Sequence, residues 1–137
     1  MAATNARMFK IDEQIGDDGA SVTTNLDVRG GALRVEVGGH VLGELPVMAI
    51  DRVMDRYAKP LADGIVLDGP ALDLGAGRAL HLLRHRARYD VIARDFLVLV
   101  RPGVEPLVEL AAPIAAALTH LARAARNAGP PSGIRTP

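Results

Sequence analysis

The chain has 137 residues, the size of one ordinary domain, and a domain of this size buries about two-thirds of the surface that its unfolded chain exposes. Its 16 basic and 16 acidic residues give a net charge of zero, which argues against a nucleic-acid partner. Cysteine is absent, so disulfides, thiolate catalysis and cysteine-bound metals are excluded.

The distribution of charge along the chain predicts no membrane span, because no uncharged run approaches the roughly 18 residues that a bilayer requires. Residues 1 to 10 lack the apolar segment of a signal peptide, so we expect a cytoplasmic location. The abundance of arginine, alanine and glycine is typical of a GC-rich bacterial genome.

The first regular pattern is an alternation with a period of two over residues 21 to 29, which resumes over residues 32 to 37 after Gly30-Gly31. A Gly-Gly pair accepts the positive φ angles of a tight hairpin turn. A two-residue turn there places Val28 opposite Leu33 and Asp27 opposite Arg34. Because a slip of one residue would exchange the two faces, the apolar pattern predicts this register. The same register pairs Leu26 with Val35 and Thr24 with Val37.

A second turn is predicted at Gly38-Gly39-His40. If this loop has three residues, Val41 lies beside Val37 and Leu45 beside Leu33. The pattern therefore predicts a three-stranded antiparallel meander over residues 21 to 45.

A helix is predicted over residues 47–59, because Val47, Ile50, Met54 and Tyr57 recur at helical spacing after Pro46. Short strands are predicted at 65–68 and 71–74. Residues 79 to 88 are ambiguous between helix and strand, and we favour strands over both 79–88 and 89–100. A second helix is predicted over 113–127, since Pro113 cannot lie in a helix interior.

These elements predict an α+β fold in which a mostly antiparallel sheet is packed by two helices, the second of them C-terminal. The expected organisation is a mobile N-terminus at 1–10, a single domain at 11–127 and a mobile tail at 128–137. No long internal repeat is evident in the sequence.

A short motif at residues 72–77, Leu-Asp-Leu-Gly-Ala-Gly, resembles the first motif of class I S-adenosylmethionine-dependent methyltransferases. The resemblance implies that Asp73, Gly75 and Gly77 border the cofactor and that Asp95 holds its ribose. A plain turn between two strands is the alternative, and we favour it because the chain begins with a meander and only 60 residues follow Gly77.

A pair of histidines, His81 and His85, is spaced so that both rings lie on one face of either a helix or a strand. Such a pair can bind a divalent metal when a third ligand is near. The neighbouring arginines disfavour a cation, so we interpret the pair as structural or solvent-facing and expect no bound metal.

Two surfaces are candidates for contacts with a partner. Arg84, Arg86 and Arg88 alternate, so on a strand they form a cationic strip suited to an acidic protein or a phosphate. The alanine-rich second helix, with Leu118 and Leu121, offers a smooth apolar side to another protein or to a second copy of the chain.

The functional hypothesis that follows is a non-catalytic accessory or assembly module that acts through protein contacts, with no catalytic residue and no cofactor. Ser21 and Ser132 are the only serines, and neither has a visible catalytic partner, which argues against a serine hydrolase. The alternative is a degenerate or fragmentary methyltransferase-like protein.

Overall fold

The structure is a computed structural model that describes residues 4–5, 7–14, 21–67, 69–85 and 94–128. It confirms the α+β class, with two mostly antiparallel sheets and two helices, the second C-terminal. The elements in chain order are β1 (Thr4–Asn5), β2 (Met8–Gln14), β3 (Ser21–Arg29), β4 (Ala32–Val37), β5 (His40–Pro46), α1 (Met48–Tyr57), β6 (Lys59–Pro60), β7 (Pro70–Gly75), β8 (Arg78–His85), β9 (Arg94–Arg101), β10 (Val104–Leu110) and α2 (Ala111–Ala128).

The first sheet is the meander β2-β3-β4-β5, and its central hairpin has the predicted register. Val28 pairs with Leu33, and Asp27 pairs with Arg34 on the opposite face. The remaining predicted pairs, Leu26 with Val35 and Thr24 with Val37, are present as well. Both turn glycines have positive φ, Gly30 at 56° and Gly31 at 79°, as a tight hairpin turn requires.

The turn between β4 and β5 differs from the prediction of a three-residue loop. His40 belongs to β5 and pairs with Val37, so the turn itself contains two residues. A β-bulge at Leu42 then shifts the register by one residue and brings Leu45 opposite Leu33, as predicted. The extra residue in the strand therefore compensates for the shorter turn.

An N-terminal strand was not predicted. β2 pairs with β3 along its length and buries Phe9 and Ile11 in the core, so the expectation of a mobile segment over residues 1–10 is wrong for Met8 to Lys10. The predicted mobile tail lies outside the described residues except for Ala128, which ends α2.

The second sheet has the strand order β1-β7-β8-β9-β10-β6, in which β1 and β6 are two-residue strands at the edges. The described part of the ambiguous segment, residues 79–85, is a strand, β8, as favoured, whereas the strand predicted at 65–68 is absent from residues 65–67. β10 was not predicted, because Leu107 continues the apolar spacing of α2. That helix begins at Ala111, and Pro113 lies in its first turn, where a missing N–H costs no helical hydrogen bond.

Four antiparallel strands followed by a helix occur twice in the chain, first as β2–β5 with α1 and then as β7–β10 with α2. The helices are largely exchanged between the halves. α2 packs mainly against β5 of the first sheet and also contacts β9 of the second, while α1 packs against β10 of the second sheet and less against β5. One continuous cluster of buried side chains joins both halves, including Phe9, Leu33, Ile50, Leu80, Leu99 and Ile114. Within the described residues, neither helix combines the length and apolar character needed to cross a membrane.

Candidate functional site

The predicted arginine strip falls partly outside the described residues. Arg84 lies in β8, opposite Asp95 of β9, whereas Arg86 and Arg88 lie outside the described residues. The cationic strip therefore stays a prediction from the sequence.

The glycine motif forms the hairpin turn between β7 and β8. Gly75, Ala76 and Gly77 have successive positive φ angles of 85°, 55° and 78°, and the Gly75 N–H donates to the Asp73 carboxylate at 2.9 Å. A Cβ added at Gly77 would lie 2.9 Å from Cγ of Pro102, in the neighbouring β9–β10 turn. The turn thus requires Gly75 and Gly77 for their positive φ angles. Gly77 also allows the close approach of the two hairpins.

Of the four residues implied by the methyltransferase resemblance, Asp73, Gly75 and Gly77 lie in one turn, but Asp95 lies away from them. Asp73 pairs with Ala79 at one end of β8, and Asp95 pairs with Arg84 near the other end. Five residues of extended strand separate those levels by about 17 Å. The turn also leads into an antiparallel strand, whereas the family places a helix after its glycines. This geometry disfavours a shared cofactor site at these positions.

Both histidines belong to β8, and the structure describes the side chain of His81. His81 is buried, and its burial lowers the pKa of the imidazole below the ordinary value of 6.5. A buried neutral ring agrees with a structural role for His81. The described residues contain no group of three or more His, Asp or Glu side chains that could hold a metal ion.

A charged cluster connects α1 to one end of the second sheet. Asp51, buried on α1, pairs with Arg78 of β8 at 2.5 Å and lies 3.7 Å from Arg101 of β9. Arg101 also pairs with Asp55, one helical turn further along α1, at 2.9 Å. The second amino group of Arg78 donates to the carbonyl oxygen of Leu74 at 3.3 Å. The two arginines and two aspartates balance each other in charge, so this cluster acts as a structural tie between helix and sheet.

A cavity lies on the surface between the two helices, and we call it the interhelical groove. It has a volume of about 890 Å³ and is open to solvent. Its lining residues are Leu45 and Pro46 of β5; Ala49, Arg52, Val53, Arg56 and Tyr57 of α1; and Pro113, Ala116, Ala117, His120, Leu121 and Ala125 of α2.

The groove is apolar along its floor and cationic at its margin. Alanines of both helices form much of the floor, while Tyr57 and Leu121 remain 52% and 38% exposed. The guanidinium of Arg56 lies 5.5 Å from the centre of the Tyr57 ring, a distance at which a cation interacts with an aromatic face. An exposed apolar floor with a polar rim is the usual anatomy of a protein contact surface.

The two leucines predicted as contact residues of the second helix differ in position. Leu121 lines the groove, but Leu118 is fully buried in the core and cannot reach a partner, so its prediction as a contact residue is wrong. Tyr57, Arg52 and Arg56 were not predicted as contact residues. Their only signal in the sequence is the spacing of four between the two arginines on a predicted helix.

A second cavity of about 580 Å³ lies between β2, β3 and β7 and is lined by charged residues. Its carboxylates are already engaged, since Asp27 pairs with Arg29 at 3.0 Å and Asp73 accepts the Gly75 N–H. This cavity therefore offers a ligand few unsatisfied polar groups. The interhelical groove, by contrast, offers exposed apolar surface.

No family description, curated protein or solved structure matches this chain.

Proposed function

We propose that the chain is a non-catalytic accessory or assembly module that binds a protein partner through the interhelical groove. The observation that carries this proposal is the exposure of large apolar side chains, Tyr57 and Leu121, beside an open apolar floor. Burying such surface against a partner is favourable by roughly 25 cal/mol for each Å² removed from water.

The groove also suits binding better than catalysis. Its polar side chains are Arg52, Arg56, Tyr57 and His120, with no carboxylate, serine or threonine among the lining residues. A general acid–base pair needs groups within hydrogen-bonding distance of a common substrate atom. The described hydrogen bonds connect none of these four side chains to one another.

Site-specific photo-crosslinking tests the proposal. A photoreactive amino acid replaces Leu121 in the full chain, and irradiation follows in cells that express the protein naturally. The control position is Met8, which is 51% exposed but lies outside the groove. We expect a crosslinked protein from position 121 that is absent from position 8.

A second variant links the crosslink to the groove itself. Ala116 is exposed on the groove wall, so Ala116→Trp fills the groove without disturbing the core. We expect this variant to fold, as judged by circular dichroism, and to lose the crosslink. If position 121 yields no crosslinked product, or the same products as position 8, the proposal is refuted.

A further inference from the structure

We propose that the occupant of the interhelical groove is an acidic amphipathic helix of another protein. This inference rests on the proposed function and names the class of partner. The groove extends along α2 from Pro113 to Ala125, a distance of about 18 Å at helical rise. About three turns of a docked helix fill that length, and helix-in-groove binding is a common mode of peptide recognition.

The small side chains in the groove allow a helix to pack closely against it. Ala116, Ala117 and Ala125 of α2 face Ala49 and Val53 of α1 across it. The distance between two packed helix axes depends on the side chains at the contact, and small side chains allow the closest approach. Leu121 and Tyr57 then stand beside the docked helix, where its apolar residues can cover them.

The charges of α1 are divided between its two sides. Asp51 and Asp55 are directed to the sheet, where they pair with Arg78 and Arg101. Arg52 and Arg56 line the groove and have no ion-pair partner among the described residues. The charged residues of α1 that line the groove are therefore both arginines.

Helix α2 adds positive charge and contains no acidic residue. His120 lines the groove, and Arg123 and Arg126 are exposed further along the helix. Although the whole chain has zero net charge, the charged residues that line the groove on α1 are arginines, and α2 adds arginines and no acidic residue. A partner helix with acidic residues flanking its apolar stripe is complementary to this surface.

The same charges argue against a second copy of the chain as the occupant. A second copy, docked through its own helices, would bring Arg52 and Arg56 against cations of like sign.

A displayed peptide library tests the charge preference directly. Peptides of about 14 residues carry leucine at positions i, i+3, i+4 and i+7, and each flanking position encodes Glu or Lys with equal frequency. Selection on the full chain should enrich Glu over Lys by about threefold or more at the flanking positions. A synthetic peptide with one tryptophan then reports affinity, since the chain itself has no tryptophan to interfere.

Charge reversal provides the matched control. The double variant Arg52→Glu with Arg56→Glu should reverse the selection toward Lys. Lys10→Glu with Arg29→Glu makes the same change in net charge on exposed residues away from the groove, and it should keep the preference for Glu. Affinity for the Glu peptide should exceed that for its Lys counterpart about tenfold at low salt and by less at high salt.

The outcomes separate this inference from the proposed function. Selection of no peptide, equal enrichment of Glu and Lys, or a preference unchanged by reversal at Arg52 and Arg56 overturns the acidic helix. A crosslink from position 121 obtained together with any of these results leaves the groove as a contact surface for a partner of other chemistry. A crosslink from position 121 to a second copy of the chain also overturns the inference.

Discussion

At the scale of single residues, His81 shows that a residue with the spacing of a metal ligand can lie buried within a sheet. His81 pairs across the sheet with Ala71 and Val98, both of which are buried. An imidazole held among such neighbours is destabilised in its charged form. The same burial that lowers the pKa of His81 makes the ring a contributor to the pH dependence of stability.

We predict that His81 makes the protein less stable in mild acid. The unfolded chain protonates this ring near pH 6.5, whereas the folded chain does so only at lower pH. Between those pH values the unfolded state binds more protons. The contribution of His81 to the free energy of unfolding is therefore fully present above about pH 6.5 and is lost as the pH falls through the folded pKa. Urea unfolding at a series of pH values between about 5 and 8 measures this loss of stability.

The variant His81→Gln isolates this effect. Its free energy of unfolding should fall less steeply than that of the wild type as the pH is lowered. Equal pH dependence in the two proteins would show that the burial of His81 has no consequence for proton binding.

The glycine motif shows that a residue pattern can have a conformational cause. A Gly-X-Gly sequence suits a phosphate-binding or cofactor-binding turn, and it equally suits a hairpin with successive positive φ angles. Gly75 and Gly77 supply positive φ angles for the hairpin turn, and Pro102 of the adjacent hairpin lies close to Gly77. What decides between the two is the element after the turn, which the six residues of the motif do not determine.

At the scale of elements, the charged cluster between α1 and the second sheet predicts unequal roles for two aspartates on one helix. The side chain of Asp51 is 7% exposed and that of Asp55 is 54% exposed. Asp51→Asn leaves Arg78 and Arg101 without their buried counter-charge, which should lower the free energy of unfolding by about 3–5 kcal/mol. Asp55→Asn removes an exposed pair and should cost about 0–1 kcal/mol.

Chemical denaturation of the two variants at neutral pH checks this difference. The isosteric change keeps the packing of α1 in both, so the comparison reports on charge. Equal losses of stability would mean that Asp51 does not anchor the helix to β8 and β9.

Local elements could be predicted from the sequence, because their causes lie within a few residues. The Gly30-Gly31 hairpin has its register because apolar alternation and turn chemistry act over neighbouring positions. β10 was missed because Leu107 and Ile114 have spacing that also fits a helix, so periodicity alone did not place the boundary. The bulge at Leu42 was missed because no glycine or proline marks it.

The candidate site depends on contacts between distant residues and was therefore only partly predicted. Leu121 was identified, but its groove exists only because α1 and α2 pack side by side. The pairing of Asp51 with Arg78 spans 27 residues, and the strand order that permits it does not follow from local patterns. Without that pairing, the cationic character of the α1 surface could not be inferred.

At the scale of the whole molecule, the exchange of helices joins the two ββββα halves into one folding unit. α2 covers the first sheet, and α1 covers part of the second, so neither half can bury its apolar face alone.

This interlocking predicts that the two halves fold only together. Separate fragments 1–62 and 63–137, divided in an exposed segment between α1 and β7, should each lack cooperative thermal unfolding when followed by circular dichroism. An equimolar mixture should recover the signal of the intact chain, and its midpoint should rise with concentration because association now becomes bimolecular. Cooperative unfolding of either fragment alone would show that one sheet is stable without the helix supplied by the other half.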